Sequence, residues 1–304
     1  MDTRTAADML EHYASMDVEG LDRRLSRICK TSNWTDQIKV QQFEGPKTWR
    51  LVCDSGDETK EEIVLSLQGS IVEKDLPPML EKPRVNITKY KYLRQSIRIS
   101  GLGTSTFGDA LRSTGEIFGL FDREFRDGDL DSWTATSNQN AEDDIFDASN
   151  RYFTPRRDAS LEESIPFDKL ADPNNILKKM AGDQYVHTED NEVLYFRRRT
   201  TQDGKRSHEK VGPQTFRVGD IVEIQVSFVV VPTKGDRYKM MSVLRSIALI
   251  DGAFSKHKSS KQQPEPKASI TLKRKVQYEE PADDEEEDRR RKRAMDVDAE
   301  GEKA

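Results

Sequence analysis

The chain has 304 residues, of which 34% are hydrophobic and 34% are charged, and its formal net charge is -6 at pH 7. This length allows one or two domains, and the high polarity requires that some segments lie outside any core. No apolar run approaches the roughly 20 residues of a membrane-spanning helix, so we expect no membrane partner. The negative net charge also argues against a strongly basic, duplex-binding protein.

Cysteine and histidine usage narrows the chemistry further. Cys29 and Cys53 are the only cysteines and the four histidines are scattered, which excludes a disulfide framework and favours a reduced intracellular setting. The small number of cysteines and the scattered histidines also argue against a metal site. No nucleophile or zinc-protease motif occurs, and no carboxylates are paired in a defined pattern. We therefore expect a non-enzymatic protein with no metal and no cofactor.

The first 121 residues predict a mixed helix and strand domain. Apolar stripes indicate helix over 5–32 with a turn near 17–20, and alternating or apolar runs indicate strands at 49–53, 62–67 and 84–100. A further helix is expected over 107–121. Residues 122–150 contain nine acidic and two basic residues, a composition that predicts an acidic disordered linker.

Residues 151–255 predict a second, β-rich domain. A short helix follows Asp172, which can cap it. Strands are expected at 184–187, 193–197 and 216–232. The last of these is the clearest pattern in the chain, with apolar residues at every even position from Val222 to Val230. Residues 237–250 fit either a helix or the second strand of a hairpin, and the short turn containing Gly235 favours the hairpin.

The strand count of this second domain predicts an α+β protein with two β-containing domains, the C-terminal one a small antiparallel barrel or curled sheet. Phe216-Arg-Val-Gly-Asp220 resembles the start of the first long strand in small barrel modules, so an OB-like or SH3-like barrel fits. The polar face of this strand, with Glu223, Gln225 and Ser227, carries no positive charge. We therefore expect binding by the loops and strands around it.

Four segments resemble a domain shared by a group of fungal proteins, most of them within the range 184–251. They are Asn175-Ile-Leu-Lys178, Gln184-Tyr-Val-His-Thr-Glu-Asp-Asn-Glu-Val-Leu-Tyr195, Phe216-Arg-Val-Gly-Asp-Ile-Val-Glu223 and Val243-Leu-Arg-Ser-Ile-Ala-Leu-Ile-Asp251. The resemblance implies a recurrent domain and no particular activity.

Residues 256–304 are poor in apolar residues and predict a disordered, charged tail. The tail contains two basic clusters separated by an acidic spacer, which resemble a bipartite nuclear localisation signal. We therefore expect a nuclear import receptor as a partner and the nucleus as the location. The alternative is a solubilising tail with alternating charge blocks. The clusters comprise Lys273, Arg274 and Lys275, then Arg289, Arg290, Arg291, Lys292 and Arg293.

Two further basic segments are candidates for contact with nucleic acid. The first lies within 84–98 and contains no acidic residue. If this segment is a strand, its two tyrosines share one face, where they can stack on unpaired bases, while the basic residues follow the phosphates. The alternative is a strand whose tyrosines are half-buried in the core. The candidates are Lys89, Tyr90, Lys91, Tyr92 and Arg94.

The second basic segment is Arg197-Arg198-Arg199, which we expect in a loop at the mouth of the barrel. Nearby acidic residues reduce its net charge, so a solvated face is the alternative. Together these features predict a nuclear protein that binds single-stranded or irregular nucleic acid, or chromatin-associated proteins. A protein-interaction scaffold without nucleic-acid contact is the competing hypothesis.

Overall fold

The computed structural model describes residues 3–15, 23–30, 34–53, 60–137, 144–159, 162–200 and 206–252. These residues fall within one compact unit, Met1–Lys261. The second unit, Gln262–Ala304, lies outside the described residues, and so do both basic clusters of the predicted import signal. None of the helices in the described ranges is long and apolar enough to cross a membrane.

The described residues form short helices around one large sheet. The α-helices are α1 (Thr3–Ser15), α2 (Leu25–Ile28), α3 (Trp34–Gln37), α4 (Ser105–Asp122) and α5 (Ile176–Ala181). The strands of the first half are β1 (Ile38–Phe43), β2 (Thr48–Cys53), β3 (Glu61–Glu62), β4 (Leu65–Asp75), β5 (Arg94–Ser100), β6 (Leu130–Asp131) and β7 (Thr136–Ser137). Those that follow are β8 (Asp144–Arg151), β9 (Thr154–Pro155), β10 (Tyr185–Val186), β11 (Leu194–Thr200), β12 (Arg206–Lys210), β13 (Ile221–Pro232) and β14 (Tyr238–Asp251).

Five of these strands close into a barrel. Strand β4 pairs with β5, β5 with β8, β8 with β14, β14 with β13, and β13 again with β4. All pairings are antiparallel except that of β8 with β14. Numbered along the chain, the barrel strands follow the closed order 1-2-3-5-4, which is the arrangement of an OB-like barrel. The predicted α+β fold with a small barrel is confirmed.

Strand β13 follows the alternation predicted for it. Its even-numbered residues point into the barrel, where Ile224 and Val226 have no exposed surface. The hairpin interpretation of the following run is confirmed, because β14 pairs with β13 along its whole length. Helix α4 packs on the same core through Phe107, Ile117 and Phe121. The helix predicted over 107–121 is therefore confirmed.

The barrel contains strands from both halves of the chain, which differs from the predicted division into domains at 1–121 and 151–255. Strands β4 and β5 pair with β13 and β8, so the two halves share one core. The predicted linker at 122–150 contains β6, β7 and most of β8. Strand β8 was not predicted because the segment is acidic and only three of its buried residues, Ile145, Phe146 and Ala148, are apolar.

A second, smaller core lies beside the barrel. Tyr152, Phe153, Leu177, Met180 and Tyr185, from the connection between β8 and β11, pack together with Tyr90. Helix α5 begins later than predicted, at Ile176 with Asn175 in the N-cap position. Asp172 still caps it from outside, because its carboxylate accepts hydrogen bonds from the backbone N–H groups of Leu177 and Lys178 at 3.1 and 3.0 Å. The Tyr185 hydroxyl donates to the carbonyl of Ile87 at 2.8 Å. This core therefore holds in place the loop that precedes β5.

A shared barrel predicts one cooperative unfolding transition for both halves. Ile99 in β5 and Ile224 in β13 have no exposed surface, so replacing either with alanine should destabilise the fold by about 2–5 kcal/mol. Both variants should shift the same urea transition, followed by tryptophan fluorescence and circular dichroism. The exposed Lys239 is the control, since Lys239→Ala should change stability by less than about 0.5 kcal/mol. Two transitions, each moved by only one variant, would contradict a single barrel.

Candidate nucleic-acid interface

A basic cleft of about 620 Å³ opens on the outer face of the barrel. Its walls come from β2, β5, β8 and the 3₁₀ helix Ile87–Tyr92, which belongs to the loop between the first two barrel strands. Six basic side chains line it, against the acidic Asp158 and Asp190. The basic residues are Lys47, Arg50, Lys91, Arg94, Arg151 and Arg157.

The floor of the basic cleft is apolar. Val229 and Val231 reach it from β13, and Met241 and Val243 reach it from β14. Odd-numbered residues of β13 point outward because the even-numbered ones fill the barrel. From the sequence we expect binding by the loops and strands around β13, but the last residues of β13 line the cleft themselves. A signal was present: Phe228-Val-Val-Val231 is apolar on both faces, which indicates that its outer face is not ordinary solvated surface.

Arg94 and Arg151 face each other across two neighbouring strands of the cleft. They are directly paired in the antiparallel register of β5 and β8. Their neighbours Gln95 and Asn150 are buried toward the core, so alternation directs both arginines outward. Neither guanidinium makes a hydrogen bond or ion pair with another described residue.

Protein walls around the two arginines lower the pKa of both guanidinium groups, because they limit access of water to the charges. The charge of Arg151 lowers the pKa of Arg94 further. Asp190, Glu162 and Asp158 act in the opposite direction on Arg151, and Arg50 acts in the same direction as burial. None of these groups contacts Arg151 as an ion pair, so the two arginines form a local concentration of positive charge that no direct ion pair neutralises.

Tyr92 stands beside these arginines with 65% of its surface exposed. The Nζ atom of Lys91 lies 5.0 Å from the centre of its ring, and both side chains line the basic cleft. The exposed aromatic ring and the apolar floor can contact a planar ring of a ligand. The nearby cations can contact a negatively charged group of the same ligand.

The strand predicted at 84–100 is confirmed over Arg94–Ser100, as β5, but is wrong for the residues before it. Residues Ile87–Tyr92 form a 3₁₀ helix, which the Asn86 side chain caps by accepting a hydrogen bond from the Thr88 N–H at 3.0 Å. Tyr90 therefore does not share a face with Tyr92. It is only 3% exposed and packs in the second core, so it is not available to stack on a base. Lys89 is exposed but does not line the cleft.

A network of two arginines and two carboxylates adjoins the cleft near β2, where Arg50 and Asp190 of the network line it. Arg50 contacts both carboxylate oxygens of Asp190 at 2.8 and 3.0 Å and donates to Glu62 at 2.9 Å. Arg245 donates to both oxygens of Glu62 and to Asp190 at 2.8–3.0 Å. The network ties β2, β3 and β14 to the 3₁₀ helix Glu189–Asn191.

The charges within this network balance. Burial alone would raise the pKa of Asp190, but hydrogen bonds from Arg50 and the charges of Arg245 and Arg50 hold it well below its usual range. Burial would lower the pKa of Arg50, and its contacts with Asp190 and Glu62 raise it instead. Arg50 is therefore neutralised by its own partners, whereas Arg94 and Arg151 beside it make no ion pair with a described residue.

The second predicted basic segment lies elsewhere. Arg197, Arg198 and Arg199 belong to strand β11 and not to a loop, and none of them lines the basic cleft. The Arg198 guanidinium lies 4.5 Å from the centre of the Tyr13 ring. Arg199 forms an ion pair with Glu209 of β12 at 2.6 Å. The two predicted segments therefore do not share one binding surface.

Sequence reasoning found three residues of the basic cleft and missed others. Lys91, Tyr92 and Arg94 were candidates, whereas Lys47 and Arg151 were not. Arg151 directly follows the acidic stretch at 122–150 that the sequence predicts to be a linker. The negative net charge of that stretch made a basic binding residue beside it hard to recognise. Only the strand register, which places it opposite Arg94, identifies its role.

Comparisons with known proteins add little to this geometry. No protein-family model matches the chain, and the search of curated proteins finds no match. Among solved structures, the chain is similar to a single-stranded DNA binding protein encoded by bacteriophage T7. The TM-score is 0.30 and the identity is 11%, over 70% of this chain and 98% of that one. A likeness this weak carries no weight for the function.

Within the described ranges, no group of three or more His, Cys, Asp or Glu side chains is placed to hold a metal ion.

The Arg50–Asp190 network predicts a pH-dependent contribution to stability. Asp190→Asn should destabilise the protein by at least about 2 kcal/mol at neutral pH, because two arginines lose a charged acceptor. Folding lowers the pKa of Asp190. Its contribution is therefore complete above the ordinary carboxyl pKa of about 3.9 and declines as the pH falls below that value.

Urea unfolding measured at about pH 7 and about pH 3 tests this sign. The difference between wild type and Asp190→Asn should narrow at the lower pH, since the wild-type carboxylate then begins to take up its proton on unfolding. Asp131→Asn is the control, because its ion pair with Arg237 is exposed and should contribute less than about 1 kcal/mol. An equal difference at both pH values would contradict the assigned pairing.

Proposed function

We propose that this protein binds single-stranded nucleic acid in the basic cleft and that its role is non-catalytic. The observation that carries the proposal is the facing pair Arg94 and Arg151, which lacks an acidic partner among the described residues, beside the exposed ring of Tyr92 and an apolar floor. The position also supports it. In OB-like barrels, oligonucleotides bind on the face of the second and third strands and the loop between the first two, and these elements carry Arg94, Arg151 and Tyr92 of the cleft.

A single strand fits this surface better than a duplex does. Val231, Met241, Val243 and the Tyr92 ring offer contacts to the faces of bases, which a duplex keeps stacked inside. Uncompensated arginines can meanwhile contact phosphates. The net charge of -6 opposes general attraction to nucleic acid, so binding depends on this local concentration of positive charge.

Fluorescence anisotropy with a labelled oligothymidylate of about 15 nucleotides tests the proposal. We expect binding at micromolar protein that weakens with added salt, and weaker binding to a hairpin duplex of the same length. Tyr92→Ala should reduce the binding free energy by about 1–3 kcal/mol, the contribution of one stacked base.

Arg199→Gln is the matched control for charge, because Arg199 is paired with Glu209 and lies outside the cleft. It should leave the affinity unchanged. No salt-sensitive binding of either DNA or RNA oligonucleotides would reject the proposal and favour a protein-interaction scaffold.

We also propose that the protein resides in the nucleus, on the strength of the two basic clusters in the tail. Replacing Arg289 to Arg293 with alanine should leave a fluorescent fusion in the cytoplasm, since the import receptor then lacks its larger cluster. A fusion that remains nuclear would show that this cluster is not the signal. Replacing the acidic residues Glu285, Glu286 and Glu287 with alanine is a control of similar size and should not move the fusion.

A further inference from the structure

Arg94 and Arg98 occupy equivalent outward positions on strand β5, but their surroundings differ. Arg98 is directly opposite Asp147 on β8 and Glu73 on β4. Its guanidinium contacts both carboxylates, at 2.6 and 2.8 Å. Carboxylates on the two neighbouring strands therefore neutralise Arg98, as is common for a charged residue on the surface of a sheet.

Arg94 receives no such partner. On one side its register partner is Arg151, a like charge. On the other side the pairing of β4 with β5 ends at Asp75 and Ser96, so Arg94 extends beyond the last paired residue of β4. Like charges directly opposite one another in an antiparallel pair are destabilising. Neither residue finds a carboxylate contact in the described part of the chain.

We propose that Arg94 and Arg151 form a phosphate clamp, in which one backbone phosphate lies between the two guanidinium groups. Directly opposed residues place their Cβ atoms about 5 Å apart, so both long side chains can reach the same anion. Each guanidinium can donate two parallel hydrogen bonds to phosphate oxygens. The bound anion would cancel the repulsion that the empty pair creates.

The clamp rests on the proposed function and makes it more specific. Tyr92 lies two residues before Arg94 and lines the same cleft, so a base on its ring and a phosphate in the clamp belong to one stretch of the bound strand. The clamp recognises the phosphate group, which DNA and RNA share. It therefore predicts comparable loss of both ligands when either arginine is removed.

The salt dependence of binding separates the clamp from a general electrostatic effect. Arg94→Gln, Arg151→Gln and Arg98→Gln each remove one positive charge from neighbouring positions on the same surface. The first two should weaken binding of labelled oligothymidylate about tenfold or more. They should also reduce the slope of log K against log salt by about 0.7, the value for one phosphate contact on a single strand. Arg98→Gln should leave the slope unchanged.

Thermal unfolding without nucleic acid provides a readout that a merely structural role would not give. Arg94→Gln should raise Tm at low salt by roughly 1–3 °C, because its repulsion by Arg151 is removed. Arg151→Gln should raise Tm less, because that variant also loses the attraction of Asp190, Glu162 and Asp158. Inorganic tripolyphosphate should raise the Tm of the wild type above its value in chloride at equal ionic strength. Neither clamp variant should respond in this way, whereas Arg98→Gln should respond like the wild type.

The outcomes distinguish the clamp from the proposed function. If the wild type binds oligonucleotides and both clamp variants keep its affinity and slope, the clamp is overturned and the binding function stands. If the wild type does not bind, the proposed function fails, and the tripolyphosphate measurement decides the clamp alone. Stabilisation that disappears in both clamp variants supports an anion clamp. Equal stabilisation of all four proteins, or of none, overturns it.

Discussion

Strand β13 is the constraint on which the rest of the structure depends, because hydrogen bonds along both of its edges close the barrel. One edge pairs with β14, and the other pairs first with β4 and then with β2. Closure directs Ile224 and its even-numbered neighbours into the core. The outward-facing Val229 and Val231 then lie beside β2, where they form the floor of the basic cleft. The basic cleft is thus a consequence of how the barrel closes.

Charge placement on this barrel follows two different rules. Where arginines join elements of the fold, carboxylates compensate them, as Glu62 and Asp190 do for Arg50. In the proposed clamp, Arg94 and Arg151 oppose one another without an ion pair to a described residue. Arrangements that lower stability are common at functional sites. The proposed clamp would give a protein of net negative charge a local site for an anion.

The sequence predicted the parts of the fold that local patterns determine. Alternation in β13 and the cap at Asp172 were both readable because neighbouring residues set them. The single barrel was not predictable in this way, since the pairing of β4 with β13 joins residues about 150 positions apart. The same limit applies to the site. Arg94 was identified from its basic segment, whereas its partner Arg151 depends on strand register.

A map of the contacts between a bound strand and the chain is the most direct test of the central claim. An oligothymidylate with 5-iodouracil at single positions, irradiated in complex with the protein, links covalently to aromatic side chains that touch the base. Peptide mass spectrometry then identifies the linked residue. We predict a crosslink at Tyr92, lost in Tyr92→Ala and competed by unlabelled strand. Crosslinks confined to β11 and β12, near Phe196 and His208, would contradict binding in the basic cleft.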